Sequence, residues 1–233
     1  MSETIEVNFD RTVPLFPLPD TVLLPHECVP LHIFEPRYRQ MVSHCLDESG
    51  QIAIATFKPE FRDYEGNGPV PLRQAVCVGQ IIRHDRFADG RYLIFLHGVC
   101  RARINELLEP SDSRAYRLGR LEPLENHGEP LDPMPKVRSE LRRLLSGPRL
   151  RRLCDAERLL KCIDSDEIST RAVVELVAHT VVHDTELKYA LLAEPQPPRR
   201  AGILTRELRV VDRLVRLADQ QSFREWPKGI SWN

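Results

Sequence analysis

Apolar and polar positions change their rhythm twice along this 233-residue chain. Between Val13 and Phe34 the apolar residues come in short runs punctuated by Pro14, Pro17, Pro19, Pro25 and Pro30. Each proline fixes its own φ, removes a backbone donor and pushes the preceding residue towards extended geometry. This excludes a long helix or a central sheet strand and predicts short, kinked strands. A helix opens at Pro36, because Tyr38, Met41, Val42, Cys45 and Leu46 fall on one stripe of a 3.6-residue repeat. Proline suits its first turn, and Gly50 is placed to end it in left-handed geometry.

The next stretch reads as strand. Gln51 to Phe57 is apolar and β-rich, and segment 58–74, with Gly66, Gly68, Pro69 and Pro71, reads as a surface loop. Ala75 to Ile82 and Arg91 to Leu96 form a hairpin through Asp89-Gly90, the signature of a two-residue type I′ turn. Gly98 to Ile104 reads as another strand and Tyr116 to Leu121 as a last one, a set suited to a small barrel. Pro123 to Pro135 is a proline-rich joint, beyond which the pattern is helical. Helices are predicted from Pro135 to Leu145, from Arg149 to Ile163, from a cap at Ser169 or Thr170 through Val181, and from a cap at Asp184 or Thr185 through Leu192. A final helix after Pro198 carries Leu204, Leu208, Val211, Val215 and Ala218 as one stripe for packing on a neighbour.

Two blocks in this order carry a family resemblance. The first is Val13-Pro14-Leu15-Phe16-Pro17-Leu18-Pro19 through Leu31-His32-Ile33-Phe34-Glu35-Pro36-Arg37-Tyr38-Arg39. The second runs from Val78-Gly79-Gln80-Ile81 through Asp89-Gly90-Arg91-Tyr92 to Leu96-His97-Gly98-Val99-Cys100-Arg101-Ala102-Arg103-Ile104. Together they closely resemble the amino-terminal, substrate-binding domain of Lon proteases. The resemblance implies an α+β fold: a PUA-like β pseudo-barrel over residues 1–122, then, more loosely, a helical subdomain over 133–221 and a tail over 222–233. One departure is His26-Glu27 after Pro25, where the family usually has glycine. The resemblance also implies recognition of unfolded or tagged polypeptide, and a stand-alone copy without the ATPase and peptidase that a Lon protease carries.

Composition narrows the classes. The net charge of −1 gives no global pull towards nucleic acid or an acidic membrane. No apolar run reaches the roughly 18 residues needed to span a bilayer, and Met1 to Glu6 is unlike a signal peptide, so a cytoplasmic protein is expected. The cysteines Cys28, Cys45, Cys77, Cys100, Cys154 and Cys162 are scattered without a Cys-x-x-Cys pair, which favours thiols packed as small hydrophobes over disulfides or metal.

Candidate chemistry is sparse. No Gly-Lys-Ser or Gly-Lys-Thr occurs, so the chain has no phosphate-binding P-loop, and the family's serine-bearing peptidase motif is absent. Glu175, His179 and His183, four residues apart, could converge on a metal if all lie on one helix. Thr180, however, stands where a zinc protease needs its glutamate base. His26, Cys28 and His32 form a second cluster without an evident fourth ligand. Asp85, Asp89 and Glu122 offer no close carboxylate pair of the glycosidase kind.

Segment 136–161 holds Lys136, Arg138, Arg142, Arg143, Arg149, Arg151, Arg152, Arg158 and Lys161 against three acids, a local charge of +6. PUA-like folds also occur in RNA-binding proteins, which keeps nucleic acid as an alternative partner. The patch lacks stacking aromatics, and segment 162–194 carries −5, which favours pairing between helices. Glu35 and Arg37 flank a helix start and read as fold-holding residues. The expectation is therefore a non-enzymatic module with no cofactor that binds a polypeptide or protein partner, with irregular apolar surface at Leu15–Leu24 as the place where an extended segment would bind. An RNA-binding module is the alternative, followed by a metal-dependent hydrolase.

Overall fold

The computed structural model describes residues 5–63, 69–125, 134–153 and 155–220. Its sheet contains β1 (Thr12–Leu18), β2 (Cys28–Ile33), β3 (Gln51–Phe57), β4 (Leu72–Arg86), β5 (Tyr92–Leu108) and β6 (Leu118–Pro123). The spatial order is β2-β5-β4-β3-β1-β6, and β5 also pairs with β6. That extra pairing closes five strands into a ring and leaves β2 outside it, as a flap on the first half of β5. The architecture is thus α+β with a pseudo-barrel, not a clean barrel. Among the described residues the helices are α1 (Pro36–Leu46), α2 (Pro135–Leu145), α3 (Ala156–Asp164), α4 (Thr170–Val181), α5 (Thr185–Ala193) and α6 (Pro197–Gln220).

Alternation along the strands separates two cores. Val13 and Leu15, Ala53 and Ala55, Val76 and Val78, Cys100 and Ala102 with Leu121 fill the ring with small side chains. The opposite faces of the same strands, through Phe16, Ile52, Ile54, Cys77, Ile94 and Leu96, belong to a larger core. That core runs without interruption into Leu141, Leu159, Val173, Val177, Leu191 and Leu204 of the helices. Strands and helices therefore lie on either side of the 123–135 joint but share one apolar interior.

Several elements differ from the sequence reading. β4 starts at Leu72 inside the expected loop, whose other part contains a short 3₁₀ turn, Pro59–Phe61; Gly66 and Gly68 lie outside the described residues. The two expected strands 91–96 and 98–104 are one long strand, β5, with a register shift between Val78/Cys100 and Gly79/Gly98. Gly98 makes the bend feasible, since a Cβ there would sit 2.2 Å from the Leu24 carbonyl oxygen. The hairpin turn is not type I′: Gly90 has φ of 82° but Asp89 is not left-handed. Bonds from Gly90 N–H to the Phe87 carbonyl and from Phe87 N–H to the Arg91 carbonyl instead define a longer loop with glycine at its bulge.

The helical half follows its capping signals. Ser169 accepts from Ala172 N–H and Asp184 from Leu187 N–H, at the positions expected for caps. The expected helix from Arg149 to Ile163 is split into a 3₁₀ turn, Leu150–Arg152, and α3. α1 ends at Leu46, and Gly50 has φ of 69°. Cys45, Cys77 and Cys100 are buried thiols, Cys162 is half-buried and Cys28 exposed, all unpaired, while Cys154 lies outside the described residues. No helix among the described residues is long and apolar enough to cross a membrane.

Candidate functional site

The histidine and carboxylate clusters singled out by spacing are drawn apart by the fold. Glu175 turns inward and accepts from Arg101 Nη2 at 2.6 Å and from Arg200 Nε at 3.0 Å. His179 faces Glu27, with Nδ1 2.8 Å from Oε1. His183 lies beyond the end of α4, which stops at Val181, so the regular four-residue spacing no longer places it on the same face. In the second cluster, Cys28 and His32 share the exposed side of β2, while His26 precedes the strand with a left-handed φ of 67°. Among the described residues, no group of three His, Cys, Asp or Glu side chains is placed to hold a metal ion.

The basic segment is largely occupied. Arg138 donates to the carbonyls of Ile163, Ser165 and Ile168, and Arg142 pairs with Asp164 at 3.1 Å. Arg149 and Arg152 meet Asp212 and Asp219 of α6, not the acids of the neighbouring segment. Glu35 and Arg37 pair with one another at 2.7 Å on the surface, Arg37 lying over the Tyr38 ring, and neither pins a barrel carbonyl.

The expected apolar surface at Leu15–Leu24 is not available. Leu15, Leu23 and Leu24 are fully buried and Phe16 and Val22 nearly so, because β1 is held between β3 and β6 instead of at an edge. The proline kinks bring these side chains into the two cores.

Exposed apolar surface lies elsewhere, around the edge strand β2 and the β4–β5 hairpin. Phe34, Ile82 and Phe87 are 60, 56 and 43% exposed. The His32 ring lies 5.9 Å from Phe34 and 6.1 Å from Phe87, so residues from the end of β2 and from the hairpin loop form one aromatic cluster. Register extends it: His32 lies opposite Leu93 and Pro30 opposite Phe95, both partners half-buried. Ile82 is the extra residue of a bulge between Ile81 and Arg83. Guanidiniums rim the cluster, Arg91 over Phe87 at 5.9 Å and Arg83 over Phe95 at 5.5 Å. Pro30 is tolerated because β2 is an edge strand, and it interrupts the row of backbone donors there. The surface thus offers side-chain contacts more readily than continuous strand addition. A separate cavity of about 350 Å³ opens beside Thr12, His44 and Tyr116, where His44 Nδ1 lies 2.9 Å from the Tyr116 hydroxyl.

The sheet and helices meet at buried charges that no local spacing announced. Arg101 of β5 also donates to Glu125 at 3.0 Å, and Arg200 of α6 reaches Glu125 at 2.8 Å. Arg171 of α4 completes the group through Glu125. Burial, helped by the neighbouring Arg101, pushes the Arg200 guanidinium down to about 10. Nearby, burial works to raise the Glu27 carboxyl, but the His179 imidazole beside it, the Lys188 charge and the Leu24 N–H together hold it below its ordinary value.

The fold as a whole is shared with known proteins. The sequence profile of the ATP-dependent protease La (LON) substrate-binding domain matches residues 12–210. This chain belongs to that family. A Lon protease from Desulfovibrio desulfuricans is 30% identical over 140 residues, covering 59% of this chain and 14% of that protein. Lon protease 2 from Syntrophobacter fumaroxidans is 29% identical over 98 residues, covering 42% of this chain and 12% of that protein. The matches thus span a small fraction of the relatives' length. Two solved structures share the Lon-type fold. The N-terminal domain of Mycobacterium avium complex Lon protease has a TM-score of 0.64 and 19% identity, covering 85% of this chain and 98% of that one. A Lon N-terminal domain protein from Xanthomonas campestris has a TM-score of 0.57 and 22% identity, covering 83% and 96%.

Proposed function

We propose that this chain is a non-catalytic polypeptide-binding module that takes extended apolar segments on the Phe34–His32–Phe87 face. The observation that carries the reading is that aromatic cluster, solvent-exposed at the edge of the sheet and rimmed by arginines. Contiguous exposed apolar surface with a polar rim is the usual mark of a protein-interaction site. Membership of a substrate-binding family supports the same assignment, the substrates of Lon-type proteases being polypeptides. The absence of P-loop and peptidase motifs from the sequence supports a binding role. RNA is disfavoured, because the arginines of segment 136–161 that would contact phosphate are largely committed to acids and carbonyls of the same chain. A reducing cytoplasm suits the unpaired thiols of Cys45, Cys77 and Cys100.

Fluorescence anisotropy with labelled unfolded peptides tests the proposal. The double variant Phe34→Ser/Phe87→Ser should weaken binding by roughly thirtyfold to a thousandfold, the loss of one or of two aromatic anchors at ~2 kcal/mol each. Binding through apolar contacts should change little between low and moderate salt. Peptide binding unchanged in the double variant overturns the assigned face. Salt-steep binding of structured RNA, lost when Arg142, Arg143, Arg151 and Arg152 become glutamate, would establish the nucleic-acid reading instead.

A further inference from the structure

Among the described residues, helix α6 packs one of its two apolar stripes against the core and leaves most of the other exposed. Leu204 and Leu208 are fully buried, and Val211 packs against the same core. Val210, Leu214 and Leu217 are 48, 58 and 46% exposed. Their i, i+4, i+7 spacing sets them on a single stripe, which meets the core at its start through half-buried Ile203. The sequence stripe through Leu204 and Leu208 accounts for the buried side and leaves this second stripe unassigned.

Beside the stripe runs a row of cations. Arg199, Arg206 and Arg213 recur every seven residues, offset by four from Ile203, Val210 and Leu217. In heptad terms the apolar residues occupy a and the arginines d. All three arginines are exposed, and none makes an ion pair or side-chain hydrogen bond among the described residues. On the same helix Arg209 pairs with Glu140, while Asp212 and Asp219 pair with Arg149 and Arg152. The other charges that hold α6 to its neighbours are thus used, and the heptad arginines are left facing outward.

We propose that this face of α6 docks an amphipathic helix of a partner protein, with acidic residues opposite Arg199, Arg206 and Arg213 and apolar residues over Val210, Leu214 and Leu217. Charge complementarity chooses the occupant. A second copy packed in parallel would set each arginine against its own counterpart. An antiparallel copy centred on Val210 would bring Arg206 towards Arg213 of the other chain. Like charges across a seam disfavour both arrangements, whereas an acidic heptad position neutralises the whole row. From Ile203 to Leu217 the seam is about 21 Å long at 1.5 Å per residue, enough for three heptad layers.

The test uses the full chain and two labelled helical probe peptides of about three heptads. Both carry leucine at the apolar positions. One carries glutamate, the other lysine, at the positions that face the arginines. The glutamate peptide should bind at least about tenfold more tightly than the lysine peptide, and Arg206→Glu/Arg213→Glu should invert that preference. Leu214→Ser should weaken both. These positions are exposed, so circular dichroism and thermal unfolding should be unchanged and should separate lost docking from lost fold. Equal binding of the two peptides, or a preference that survives the charge reversal, overturns the proposal. So does failure of both to bind, whether the chain is then found by sedimentation to pair through Leu214 or to remain a monomer.

Discussion

Arg101 on β5 and Glu175 on α4 meet across the boundary between sheet and helices, Nη2 lying 2.6 Å from Oε2 with both side chains almost wholly excluded from solvent. Arg101 occupies a strand whose neighbours Cys100 and Ala102 fill the ring, so its own side chain projects from the other face, towards the helices. Glu175 holds Arg200 as well, and Arg101 and Arg200 both reach Glu125. The joint is therefore closed by ions from four chain regions. A buried network of this kind contributes little net energy when whole, but it is costly to break because the remaining charges cannot reach water.

Glu175→Gln should accordingly be far more damaging than an ordinary helix substitution. It leaves Arg101 and Arg200 sharing Glu125 with Arg171, at a cost of about 3–5 kcal/mol. For a chain of this size that corresponds to a fall in Tm of roughly 6–20 °C. Urea denaturation of wild type and variant would measure it. A loss below 1 kcal/mol would show that water or backbone carbonyls satisfy the arginines.

The same boundary bears on how far residues 1–122 can stand alone. We propose that they do not remain a stable monomer without the helices, although the element types divide at 123–135. Removing the helices exposes the face carrying Cys77, Ile94 and Leu96 and strips Arg101 of both carboxylates. The 1–122 fragment should be insoluble, or should bind a dye that reports exposed apolar surface. A cooperative unfolding transition in the isolated fragment would instead establish an independent domain. Limited proteolysis of the whole chain between Pro123 and Pro135 remains the companion measurement.

What was legible in the sequence depended on the range of the interaction. The stripe from Tyr38 to Leu46, the strand from Gln51 to Phe57 and the caps Ser169 and Asp184 are local patterns, and the structure reproduces them. The ion network joins residues 101, 125, 175 and 200, and no local spacing encodes such a set. Its only traces are lone charges inside apolar runs, Arg101 after Val99-Cys100 and Glu175 between Val174 and Leu176. The metal-like spacing misled because Glu175 is needed by arginines and α4 ends before His183. The face proposed for polypeptide binding was missed for another reason. Phe34 and Phe87 are far apart in sequence and both come beside His32 only because β2 lies along β5. The family resemblance supplied the arrangement of strands, but could not say which apolar residues would remain outside.

Acid should weaken the contact between the loop before β2 and helices α4 and α5. Buried Glu27 accepts from Leu24 N–H at 3.0 Å and faces Lys188 at 3.2 Å and His179 at 2.8 Å. Its folded-state carboxyl titrates below the ordinary value of 4.5, since the close His179 imidazole, Lys188 and the Leu24 N–H outweigh the cost of burial. A depressed carboxyl contributes its stability above the unfolded value and loses it as pH falls through the folded value. The stability gap between wild type and Glu27→Gln should therefore be widest above 4.5 and close as the pH is lowered further. Denaturation curves in a pH series would show it. A gap independent of pH would assign Glu27 a packing role only.

The residue beside it offers a test in the stabilising direction. Leu24-Pro25-His26-Glu27 has the pattern of a type II turn: Glu27 N–H bonds the Leu24 carbonyl at 3.2 Å, Pro25 takes the first central position, and His26 takes the second with φ of 67°. That second position favours glycine, and an L-residue held there costs about 1–2 kcal/mol. The bond from His26 N–H to the Gly98 carbonyl, 2.8 Å long, is made by backbone and survives any side chain except proline. His26→Gly should thus relieve the strain, and after glycine's greater loss of chain entropy, roughly 0.5–1 kcal/mol, the variant should be more stable by up to about 1 kcal/mol. His26→Val, β-branched and poorly suited to this conformation, should be less stable than wild type by at least about 1 kcal/mol. Thermal unfolding of the three proteins would rank them. Should His26→Gly prove the least stable, the imidazole beside His97, 6.4 Å away between ring centres, would have to contribute more than the backbone costs.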